Sequence, residues 1–254
     1  MELILVRHGE VEISKINSNL RKILEKESHG KYEDAIKKLD DIELSERGKK
    51  QAKLLGRWLQ KNYEIDVLYS SKLRRAKETS KIVNSFLNLP VIFKDELREA
   101  TFYLPDYLSD WSSPIQFGEG LMDINFNLKQ FIKGIKKSNS NTKINMKTIK
   151  EKQNTKIDKS RVKEDIDLQK YEDFRDKIEK IIKEIITGNW DKTILIVTHG
   201  GVIGTIIRNI IGRHDMTIRM DFTGLSKFYW IKEYNRWQID FINKTDHLLT
   251  ALAN

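Results

Sequence analysis

The sequence predicts an α/β fold, a three-layer α/β/α arrangement with a mainly parallel central sheet and an antiparallel edge hairpin. Three observations carry that prediction. Two short apolar runs, Leu3-Ile4-Leu5-Val6 and Ile194-Leu195-Ile196-Val197, stand near opposite ends of the chain, and each leads within two residues to a His-Gly pair. Apolar runs of this length read as parallel strands buried on both faces. Strand-like and helix-like segments alternate between them, and the last two strands flank Lys232-Glu233-Tyr234-Asn235 as a hairpin would.

The first strand is expected over 2–6. Residues 11–43 form a charged, mostly helix-permissive insertion broken at His29-Gly30. Ser45 is a good N-cap and Glu46 suits a first turn, so a helix is expected from there to about Asn62, with Ala52, Leu54, Leu55 and Leu59 on its apolar face. A short strand over 66–69 follows. Ser70 or Ser71 is expected to cap the next helix, which carries Leu73, Ala76, Val83 and Leu87 inward. Pro90 precedes a strand over 91–93. The stretch after Glu99 is irregular, with Pro105, Trp111 and Pro114, then a helix over 122–135. A helix over 168–186 leads into the strand at 193–197, and Gly200–Ile211 is a helix rising from its end. Strands over 226–231 and 236–242 complete the edge. The whole chain, 1–254, reads as one domain, with the 11–43 insertion and a variable cap plus low-complexity segment over 104–165.

Composition bounds the function. There is no cysteine, hence no disulfide framework and no zinc–thiolate site. The opening apolar run is too short for a signal peptide, and no stretch approaches the roughly 18–20 apolar residues of a membrane span. A soluble cytoplasmic protein without a membrane partner is the expectation. The net charge of +9 suggests nucleic acid until it is located. Between Lys133 and Lys163 stand ten Lys and Arg161 against Glu151 and Asp158, which is the entire excess. No aromatic residue interleaves these lysines, which counts against nucleic acid as a partner. A solvated insert, or a basic flap that attracts anionic substrates, fits that composition better.

Four strand ends carry the chemistry. The first offers Arg7 and His8, and another offers His199. Leu68-Tyr69-Ser70-Ser71-Lys72-Leu73-Arg74-Arg75-Ala76 puts arginines in the first turn of a helix, where free N–H groups favour anions. Asp95-Glu96-Leu97-Arg98-Glu99 brings a carboxylate. Parallel sheets gather ligands at their carboxyl edge. Guanidinium groups bind phosphate oxygens, a neutral imidazole can attack phosphorus, and a carboxylic acid can protonate a departing alkoxide. Ser45 reads as a cap and nothing more, His29 and His214 are expected at the surface, and His247 is expected to anchor the carboxyl-terminal segment.

These residues resemble the histidine phosphatase superfamily, also called phosphoglycerate-mutase-like. The pieces that carry the resemblance are Arg7-His8-Gly9-Glu10, Leu44-Ser45-Glu46-Arg47-Gly48 with Gln51-Ala52, Ser70-Ser71-Lys72-Leu73-Arg74-Arg75-Ala76 with Thr79, Leu97-Arg98-Glu99, Thr198-His199-Gly200-Gly201, and Asn243-Lys244-Thr245-Asp246-His247-Leu248. They occur in family order and cover roughly residues 1–10, 44–104 and 168–250. The resemblance implies that His8 is the nucleophile that becomes phosphohistidine, that Arg7, Arg75 and His199 hold the phosphoryl oxygens, and that Glu99 is the proton donor. Glu96 is the other carboxylate in that turn. Arg75 is preferred to Arg74 because it directly precedes the alanine. No metal, no cofactor and no particular oligomeric state are implied, and the partner is a small anionic phosphorylated substrate. The chain departs from the pattern at Val11 and Ser14, where Thr and Asn are common, in its long 11–43 segment, and at Ala100-Thr101-Phe102-Tyr103-Leu104-Pro105. A phosphatase is the leading expectation. A phosphoglycerate-type mutase and a non-catalytic phosphate-binding scaffold are the alternatives.

Overall fold

The structure is a computed structural model that describes residues 1–12, 42–99 and 159–249 apart from positions 215 and 217, with side chains of the long third helix described from Tyr171 onward. Six strands form one sheet: β1 Glu2–Arg7, β2 Val67–Ser71, β3 Val91–Lys94, β4 Thr193–Thr198, β5 Leu225–Ile231 and β6 Arg236–Lys244. Their order is β3-β2-β4-β1-β5-β6. The first four run parallel, and β5 and β6 add an antiparallel edge to β1. The helices are α1 Glu46–Asn62, α2 Arg74–Leu87, α3 Lys159–Thr187, α4 Gly200–Ile211 and α5 Asp246–Leu249.

Side chains of a strand alternate between faces, and each central strand here is covered on both. Leu3, Leu5, Ile194 and Ile196 pack with Tyr171, Ile178 and Ile185 of α3 and Ile203 and Ile207 of α4. Ile4, Val6, Leu195 and Val197 pack on the other face with Leu55 and Leu59 of α1 and Ala76 and Val83 of α2. The chain is therefore the three-layer α/β/α sandwich its sequence predicts. Each fully buried Leu, Ile or Val stabilises by roughly 1.5–3 kcal/mol, which explains why β1 and β4 consist of little else.

Ser45 caps α1 as expected, its Oγ accepting the Gly48 N–H at 3.0 Å. Two expectations need correction. Neither Ser70 nor Ser71 caps α2. Both belong to β2, and the N-cap of α2 is Leu73, whose side chain makes no capping hydrogen bond. A run of small polar residues before a helix suits a strand end as well as a cap, and here the sheet takes both serines. The second correction concerns α3, which begins at Lys159, well before the expected 168. The end of the basic segment thus belongs to a helix. The rest of that segment, the helix expected over 122–135 and residues 13–41 lie outside the described residues. The ends of the first insertion meet, since Val11 and Leu44 form an antiparallel bridge and Glu12 N–H donates to the Glu43 carbonyl at 3.0 Å.

Candidate active site

β1 and β4 are parallel neighbours in register, Arg7 opposite Thr198, so the histidines that follow them emerge side by side. The rings of His8 and His199 lie 5.2 Å apart, edge to face. Both residues are buried. Thr198 also fastens the junction after β3, its Oγ1 donating to the Leu97 carbonyl at 2.7 Å.

The Arg7-His8-Gly9-Glu10 turn is tied down on every side. The Thr223 N–H donates to the carbonyls of Arg7 (3.1 Å) and His8 (3.3 Å), and the His8 N–H donates to the Thr198 carbonyl at 2.9 Å. The Gly9 N–H donates to Thr79 Oγ1 at 3.0 Å, and that hydroxyl donates to the Arg75 carbonyl at 2.7 Å. The Glu10 N–H donates to Gln51 Oε1 at 2.9 Å, and Ser45 Oγ donates to Glu10 Oε1 at 3.1 Å. Gly9 and Gly48 face each other: a Cβ on Gly9 would stand 2.7 Å from the Gly48 carbonyl oxygen, and one on Gly48 would stand 2.0 Å from that of Glu10. Only glycine allows that approach.

His8 Nδ1 lies 2.8 Å from the carbonyl oxygen of Gly9. A carbonyl only accepts, so Nδ1 carries the hydrogen and Nε2 keeps its lone pair. Burial pushes the His8 imidazole well below its ordinary range, and the cations of Arg75 and Arg7 push the same way, against the Gly9 hydrogen bond. The ring is therefore neutral near pH 7. His199 is held low by burial first, then by Arg75, His8, Arg7 and Arg98.

Arg75 is 4% exposed, in the first turn of α2. Its cation acts on both imidazoles. Arg74 turns away to Glu78, at 2.8 Å, and to Glu43. Arg7 Nη1 donates to the Met220 carbonyl at 2.5 Å, and its guanidinium stacks 4.3 Å above the Phe222 ring. Phe222 also approaches the His8 ring, at 5.8 Å. Glu99 Oε2 accepts the Gly201 N–H at 3.1 Å in the first turn of α4, which brings it beside the His199 junction. Glu96 instead acts on Lys94, whose nearest carboxylate partner is Glu184.

Three participants were not legible locally. Ser71 Oγ lies 2.8 Å from His199 Nε2, a contact across 128 positions of sequence. Phe222 sits in a loop with no motif. Thr223, at φ 57°, is a left-handed residue that supports the back of the His8 turn. Its Oγ1 gives its hydrogen to the Phe222 carbonyl and accepts from Nε2 of the buried His247 at 3.0 Å. His214 is half-buried rather than fully at the surface, 3.0 Å from the Tyr171 hydroxyl. Among the described residues, no group of three His, Cys, Asp or Glu side chains could hold a metal ion, and no helix is long and apolar enough to cross a membrane.

Two buried imidazoles, both under the influence of the Arg7 and Arg75 cations, thus stand side by side at the carboxyl ends of parallel strands. A sequence model of the histidine phosphatase superfamily (branch 1) matches residues 3–108 and 109–245, and the chain belongs to that superfamily. Phosphoserine phosphatase 1 of Hydrogenobacter thermophilus is 38% identical over 99 residues, 39% of this chain and 38% of that protein. The 2,3-bisphosphoglycerate-dependent phosphoglycerate mutase of Treponema denticola is 30% identical over 128 residues, 49% of this chain and 45% of that one. The chain thus matches less than half the length of these curated relatives. A crystal structure of a phosphoserine phosphatase mutant from Entamoeba histolytica, in complex with phosphoserine, shares the fold with a TM-score of 0.55 at 20% identity, covering 97% of this chain and 98% of that one.

Proposed function

We propose that the protein is a phosphomonoesterase that hydrolyses a small phosphorylated metabolite through a phosphohistidine on His8. The observation that carries this reading is the tautomer of His8: Nδ1 is committed to the Gly9 carbonyl, and Nε2 is left as a nucleophile beside His199. In the first step Nε2 attacks phosphorus, the P–O bond to the alcohol breaks, and Glu99 gives its proton to the departing oxygen. Arg7, Arg75 and His199 stabilise the charge that spreads over the phosphoryl oxygens. In the second step water attacks phosphorus, Glu99 takes the proton back, and the N–P bond breaks to release phosphate and neutral His8. No step in this scheme uses a metal.

Phosphoserine is the first substrate to try, because relatives named for it share sequence and fold with this chain. The similarity to a mutase supports a second reading, in which the phosphoryl group returns to the substrate. A mutase must exclude water while its intermediate waits. Incubation with phosphoserine, a panel of other phosphate esters and 3-phosphoglycerate separates the two. The expected result is inorganic phosphate from at least one ester and little 2-phosphoglycerate. Fast isomerisation without phosphate release would make the mutase reading the correct one.

A further inference from the structure

Ser71 is the last residue of β2, which pairs with β4, and it is fully buried next to the turn that carries His199. Its Oγ lies 2.8 Å from His199 Nε2 and accepts the Leu73 N–H at 3.3 Å. The hydroxyl therefore has one hydrogen to place. Among the described residues the acceptor within its reach is His199 Nε2. If Nε2–H donated to Ser71 instead, the hydroxyl hydrogen and the Nδ1 lone pair would both be buried without a partner, two unmet groups where the other arrangement leaves one.

The same reasoning covers the other side of the ring. A neutral imidazole that accepts at Nε2 carries its hydrogen at Nδ1. That atom is buried and has no hydrogen-bond partner among the described residues. His8 and His199 are then complementary. His8 spends its N–H on its own backbone and keeps a bare lone pair, whereas His199 has its lone pair occupied and keeps a bare N–H.

We propose that Ser71 is a positioning residue that holds His199 as the Nδ1–H tautomer, so that this ring is a hydrogen-bond donor to a phosphoryl oxygen and not a second nucleophile or base. The proposal rests on the phosphatase reading for its consequence, but the tautomer itself can be measured without turnover. A lysine or arginine in place of His199 would bring a full charge. A neutral donor held by Ser71 strengthens as negative charge builds on the phosphoryl oxygens and leaves His8 uncharged.

The test is long-range ¹⁵N–¹H correlation on histidine-labelled protein above neutral pH, with His199 assigned from a His199→Gln spectrum. Wild type is expected to show protonated Nδ1 and unprotonated Nε2 at His199. In Ser71→Ala the ring should shift toward Nε2–H. With any ester that turns over, kcat should fall about 10–100-fold with a smaller change in KM, the scale seen when a supporting partner is removed from a ligating histidine. Ser71→Thr, which keeps the hydroxyl, should restore the tautomer and most of the rate. An Nε2–H signal in wild type would overturn the proposal, as would a Ser71→Ala enzyme of unchanged tautomer and rate. If Ser71→Ala does not fold, the wild-type spectrum decides. An Nδ1–H ring in a protein that cleaves no ester would refute the phosphatase reading and leave the assignment of Ser71 standing.

Discussion

The junctions after β1 and β4 have the same local sequence plan, an apolar strand, a histidine and a glycine, yet they are built differently. After His8 the chain enters a crowded turn, pinned by Thr79, Gln51 and Ser45 and pressed against Gly48. After His199 it runs directly into α4, and a Cβ on Gly200 would meet nothing closer than Arg7 Nε at 3.7 Å. A residue that changes its covalent state needs its orientation fixed against the strain of attack. One that only donates a hydrogen bond can stand at a helix N-terminus, whose dipole also favours the phosphoryl anion. On the proposed mechanism, equivalent motifs take unequal roles that match what lies behind them.

The sharpest way to break this comparison is to remove each ring in turn. His8→Ala should lower kcat by at least ~10³-fold, because the covalent route is lost. His199→Ala should cost about 10²–10³-fold, the loss of one oriented donor, and should still form a phosphoenzyme. Equal losses with no phosphoenzyme in either variant would erase the distinction. Rates are to be measured as phosphate release under saturating ester.

Glu99 sharpens it from the side of the leaving group. Glu99→Gln should slow esters of aliphatic alcohols by about 10²–10⁴-fold and aryl esters much less, since an acidic phenol leaves without help. Parallel kcat measurements on the two ester classes check this. Equal slowing would point to Glu96 or to another donor.

The glycines report on the packing difference alone. Gly9→Ala should destabilise by about 1–3 kcal/mol, because the Gly48 backbone cannot give way, and should lower Tm by several degrees. Gly200→Ala, in ordinary contact distance and inside a helix, should leave Tm nearly unchanged. Thermal denaturation of both variants decides it.

The buried imidazoles also give stability a pH dependence. His8 and His199 are held well below 6.5, and burial takes His247 down to about 4. Between these values and 6.5 the unfolded chain binds protons that the folded chain does not. Stability from these groups is therefore fully present above pH 6.5 and is lost as pH falls through the folded values. Tm should be flat around pH 7–8 and decline below 6.5, and His247→Asn should reduce that slope between 6.5 and 4. A Tm that rises on acidification would contradict the sign.

Much of this was legible in the sequence, for physical reasons. Strands such as Leu3–Val6 are read easily because burial on both faces leaves only apolar residues, and the His-Gly pairs mark where they end. The sheet order was not legible, because β1 and β4 pair across nearly the whole chain and no local pattern encodes a neighbour. Ser71 was misread for the same reason. A serine before a helix looks like a cap from its own surroundings, and only the tertiary contact with His199 gives it another role. The early start of α3 was masked by its charged first turns, Lys159-Ser160-Arg161-Val162-Lys163-Glu164-Asp165, whose polarity resembles that of a solvated segment.

The central claim is that His8, and not His199, carries the phosphoryl group through Nε2. The most direct measurement is acid-free trapping of the enzyme during turnover of a ³²P-labelled ester, followed by peptide mapping. The account predicts label on the peptide containing His8, stable in base, lost in acid and absent from His8→Ala. Label that survives acid, or that maps to the peptide containing His199, would contradict it.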